Sequence, residues 1–75
     1  MPDSQKKSTP ELSFEDHINA AKCCNKAAQE HSHAAQCCAT GDTDKAVGHA
    51  QSALFYSAVA QDYGMRAMAH KTGLA

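Results

Sequence analysis

The stretch His17-Ile18-Asn19-Ala20-Ala21-Lys22-Cys23-Cys24-Asn25-Lys26-Ala27-Ala28-Gln29-Glu30-His31-Ser32-His33-Ala34-Ala35-Gln36-Cys37-Cys38 decides the fold. It counts in sevens. His17, Cys24, His31 and Cys38 recur at that spacing, and the first three are followed at +3 and +4 by Ala20-Ala21, Ala27-Ala28 and Ala34-Ala35. Positions 0, +3, +4 and +7 of an α-helix share one face. The pattern predicts a long helix whose stripe of His and Cys, flanked by alanine, forms its seam.

Working outward, the bounds of that helix come from its caps. Two start signals compete: Thr9 before Pro10, which suits a cap followed by proline in the first turn, and Ser13 with Asp16 three residues on. The second is preferred, with Glu15 and Asp16 in a first turn where the helix dipole favours negative charge. No Pro or Gly interrupts the stretch up to Gly41, a natural left-handed helix terminator. Asp42 or Thr43 then caps a second helix, and so short a link makes the two helices antiparallel. The expected architecture is an all-α, antiparallel two-helix hairpin over about 13–39 and 43–71. Residues 1–8 read as a disordered polar leader and 9–75 as one helical-hairpin domain.

The second helix also counts in sevens. Ala46, Ala53, Ala60 and Ala67 make one column, with Ala50, Ser57 and Gly64 four residues on, an alanine-rich seam with coiled-coil spacing. In that seam Gly64 serves close approach of the backbones. Beside it run His49, Tyr56, Tyr63 and His70. The run Ala53 to Ala60 is apolar around most of its circumference, more than one neighbouring helix covers. A homo-oligomer, dimer or tetramer, is therefore expected through Leu54, Phe55, Val59 and the alanine seam, the simplest form being a homodimeric four-helix bundle.

Composition narrows the function classes. Seven Lys and Arg against eight Asp and Glu leave no basic stripe, so nucleic acid is a poor partner. The N-terminus lacks an apolar signal region and no run is long enough to span a membrane, so the expected place is the cytoplasm, with the four cysteines reduced. Adjacent cysteines on a helix point about 100° apart, so neither Cys23–Cys24 nor Cys37–Cys38 should bridge internally. A Cys–His nucleophile needs a third orienting group and a pocket, which an alanine seam does not offer, so an enzyme is not expected.

Thiolate and imidazole together point to a transition metal of the zinc or copper type. Residues seven apart stand about 10.5 Å apart along a helix, too far to share one ion. His33 and Cys37, four apart, can share one, and Glu30 lies three before His33 with the spacing that di-iron bundles use. A second Glu-x-x-His is missing, which argues against di-iron. Near the turn, His33, Cys37, Cys38 and His49 are expected to converge. The candidate ligands are Cys24, His31, His33, Cys37, Cys38 and His49. The plain structural alternative makes Cys24 and Cys38 slightly larger alanines in the seam and the chain a metal-free helical interaction module.

The order Ala-Ala-x-Cys-Cys-x-x-Ala-Ala, then Gly-Asp and a column of His and Ala, resembles small bacterial proteins of uncharacterised function rich in paired histidines and alanines. The likeness covers roughly residues 17–70. In that group the motif reads Ala-Ala-x-His-His, where this chain has Cys23-Cys24 and Cys37-Cys38. The resemblance implies the helical hairpin, and an exchange of His for Cys would preserve the capacity to bind metal.

Overall fold

The computed structural model describes residues 8–72, which form two helices, α1 (Thr9–Ala39) and α2 (Thr43–Thr72), packed side by side as an antiparallel hairpin. Most of the expected polar leader, together with Gly73, lies outside the described residues.

The start of α1 differs from the expectation. Ser8, not Ser13, is the cap: its backbone is extended and its hydroxyl accepts from the Glu11 amide at 3.3 Å, while that hydroxyl donates to the Glu11 carboxylate at 3.2 Å. This is a Ser-x-x-Glu arrangement in which the serine serves the amide of the third helical residue. Pro10 fits the first turn because its missing N–H has no partner to lose there. Ser13 instead lies within the helix and donates across the hairpin to the Ala67 carbonyl at 3.1 Å.

The turn forms as its residues require. Gly41 takes a φ of 84°, the left-handed conformation that costs glycine nothing. Its amide donates to the Cys38 carbonyl at 3.1 Å, and the Asp42 amide donates to the Cys37 carbonyl at 2.8 Å. These two bonds close the end of α1 as a Schellman motif. Asp42 then caps α2, its carboxylate accepting from the Lys45 amide at 3.2 Å.

Among the described residues the core is made of alanine alone. Ala27, Ala46, Ala53, Ala60 and Ala67 are each at most 7% exposed, and no large side chain among the described residues is fully buried. The Ser13–Ala67 bond sets the register. Carried along two antiparallel helices, it places Ala20 opposite Ala60, Ala27 opposite Ala53 and Ala34 opposite Ala46. The alanine column is thus consumed inside the hairpin.

The companion column is three residues from the alanines rather than four. In α2 it is His49, Tyr56, Tyr63 and His70, all half-buried; in α1 it is Asp16, Cys23, Glu30 and Cys37, also half-buried. The stripe His17, Cys24, His31 and Cys38 is displaced from the seam and exposed along its whole length. The reason is pairing. At two of the +3 positions side chains reach across while the alanines let the backbones close: Asp16 of α1 meets His70 of α2, and Glu30 meets His49. Gly64 is not a point of close approach: a Cβ built there meets nothing within 4 Å. Leu54 and Phe55 remain 65% and 63% exposed and, as neighbours in sequence, point about 100° apart. Val59 is half-buried. No helix among the described residues is long and apolar enough to cross a membrane.

Candidate metal centre

At the turn end of the hairpin, Glu30 and His33 of α1 stand one helical turn apart and meet His49 of α2. The His49 Nδ1 lies 2.7 Å from Glu30 Oε2, and the His33 and His49 rings pack edge to face with centroids 5.1 Å apart. One ligand atom from each of the three residues falls within 4.8 Å of the other two. Among the described residues this is the group of three or more His, Cys, Asp or Glu side chains that comes together in this way.

Each residue is there for a local reason. Glu30 is a seam residue, its side chain only 16% exposed, and a carboxylate so placed requires a partner. His49, two turns into α2, supplies it. His33, on the flank of the seam, is exposed and covers the pair from outside. The hydrogen bond from His49 is the largest cause of a Glu30 pKa below its ordinary value of 4.5; the positive ends of His49, His33 and Lys26 add to it, and partial burial opposes it. Glu30 is therefore an ionised acceptor at neutral pH, the state a metal ligand needs.

Two imidazoles and one carboxylate form a donor set suited to Zn²⁺ and to similar borderline divalent ions. Tetrahedral ligands at about 2.0 Å from zinc are roughly 3.3 Å apart, so binding would draw the three side chains inward by small rotations. Three protein ligands leave a coordination position for water or a further group.

A related pair lies at the open end. His70 Nε2 is 2.9 Å from Asp16 Oδ2, with side chains 16% and 13% exposed. Asp16 and Glu30 occupy the same column of α1, fourteen residues apart, and His49 and His70 the same column of α2. At the open end Asn19 holds the position that His33 holds beside Glu30, three residues on from the acid.

Of the candidate ligands, the fold brings together His33 and His49. Glu30 joins them, a residue the sequence offered only as half of a di-iron motif. Cys37 is half-buried in the seam near the turn but is not in the three-residue group. Cys24, His31 and Cys38 lie on the exposed stripe, apart from that group. All four cysteines are free thiols. A legible signal for Glu30 existed: acids at 16 and 30 and histidines at 49 and 70 both recur in multiples of seven, the spacing of a shared seam.

No protein-family model matches the chain, and no curated protein or solved structure matches it either.

Proposed function

We propose that this protein is a small helical metal-binding protein that holds a divalent ion of the zinc type at Glu30, His33 and His49. One observation carries the proposal. Three side chains of ligand chemistry, drawn from both helices, present donor atoms within 4.8 Å of one another. Two of the three were expected as ligands from the sequence, and the third is held ionised by its neighbours. Zinc is favoured over Cu⁺ because the group contains no thiolate. We read the arrangement as one for carriage, storage or sensing of the ion.

The test is titration with Zn²⁺ in a reducing buffer, read by calorimetry, with Co²⁺ absorption reporting the donor set. One ion per chain is expected, lost in His33→Ala and in His49→Ala with helicity retained, and kept in the double variant Cys24→Ala, Cys38→Ala. Uptake that survives loss of His33 and His49 but disappears with the cysteines would overturn the assignment.

A second reading, a metal-free helical oligomerisation module, rests on a different observation: Leu54 and Phe14 remain about two-thirds exposed at 65% and 66%.

A further inference from the structure

The two broad faces of the hairpin differ in charge. One is formed by the exposed stripe His17–Cys24–His31–Cys38, the column beside it that begins at Phe14, and the matching columns of α2 that contain Ser57 and Leu54. From Phe14 to Met68 none of these columns holds an Asp, Glu, Lys or Arg. The opposite face carries Glu15, Lys22, Lys26, Asp62 and Arg66. The uncharged face also displays four large apolar side chains, Phe14, Val47, Leu54 and Met68, at 56–66% exposure, set among alanine, serine and glycine.

We infer that this uncharged face is the docking surface for a second copy of the same chain, packing the two hairpins into a four-helix bundle. The inference is independent of the metal reading. Three considerations favour a copy over another partner. A face without Asp, Glu, Lys or Arg over this span meets itself with no carboxylate, ammonium or guanidinium buried unpaired or opposed to its like, the condition an isologous interface must satisfy. The area is sufficient: a helix of 31 residues is about 46 Å long, and with the 22 Å width of the hairpin the face offers roughly 1,000 Å², against about 800 Å² per partner in a standard interface. Finally, in this 75-residue chain the buried core among the described residues is five alanines, less apolar burial than small domains need, and association supplies it. In the assembly the His/Cys stripe becomes interfacial, its thiols shielded by the second copy.

The experiment is sedimentation velocity of the full chain over a concentration series, with reductant and chelator present so that neither disulfide nor metal can link the copies. Dimer is expected for the natural chain and for Phe55→Glu, which adds charge outside the uncharged face. Monomer with retained helicity is expected for Phe14→Glu and Leu54→Glu. A probe that adds no charge accompanies it: in a chain whose only cysteine is Cys24, alkylation by N-ethylmaleimide should slow severalfold as concentration rises into the dimer range. A chain that is monomeric throughout would overturn the inference. So would a dimer broken by Phe55→Glu and not by Leu54→Glu, or Cys24 alkylation independent of concentration.

Discussion

The two ends of the hairpin solve one problem with different parts. At the open end Asp16 and His70 meet at 2.9 Å and are 13% and 16% exposed; at the turn end Glu30 and His49 meet at 2.7 Å, with His49 35% exposed and a second imidazole, His33, packed against it. Each pair lets an acid sit in the seam by giving it an imidazole partner. The open end stops there, because Asn19 occupies the flanking position. The turn end adds a third donor and is more open to water. The comparison teaches that an acid–imidazole bond across a seam is by itself packing, and that the third ligand separates a structural pair from a candidate centre.

The largest expected effect comes from exchanging that third residue. Asn19→His should give the open end its own two-imidazole, one-carboxylate group and raise bound zinc from one to two ions per chain, as counted by native mass spectrometry. An unchanged count would mean that a neighbouring imidazole is not what distinguishes the ends. Next is the cost of breaking each pair. Asp16→Ala leaves His70 without its partner in the better-covered pair and should lower stability by about 1–2 kcal/mol, the range for hydrogen bonds involving charged groups, discounted for partial exposure. Glu30→Ala should cost less, since His49 can turn to water; urea unfolding of both variants at neutral pH compares them. Smallest is a pH effect at Glu30. The Glu30 pKa is lowered on folding, so the stability it contributes is present above the ordinary value of 4.5 and is lost as pH falls from there through the depressed native value. Glu30→Gln should flatten that part of an acid unfolding curve followed by circular dichroism.

Much of the backbone was legible beforehand. Gly41 as terminator, Asp42 as cap and the antiparallel pairing follow from local chemistry that tertiary contacts leave undisturbed. So does the burial of Ala46, Ala53, Ala60 and Ala67, because a column of one small residue can only be a line of close approach. The periodicity of α1 alone did not select the second column. Alanines in α1 are flanked by repeats at +3 and at +4, and single-helix periodicity treats them alike. The choice was made by cross-helix partners: acids meet histidines only if Asp16 and Glu30 enter the seam. Taking the regular His and Cys stripe as the seam therefore put His17, Cys24, His31 and Cys38 inward and left Glu30 out. The start of α1 was missed on a smaller scale. Ser8 with Glu11 and Ser13 with Asp16 carry similar capping signals, and Ser13 had a use across the hairpin that no local pattern reveals.

The antiparallel connection also fixes how the hairpin yields to force. Pulled apart from the outer ends of α1 and α2, it opens like a zipper. The Ser13–Ala67 hydrogen bond and the Asp16–His70 pair load first, and the alanine layers then part in sequence. Glu30, His33 and His49, in the half of the hairpin nearer the fold-back at Gly41, feel the pull late, with the Ala34–Ala46 layer still closed behind them. A bound ion there would act as a clasp at the closed end, adding resistance late in the extension while leaving the first opening unchanged.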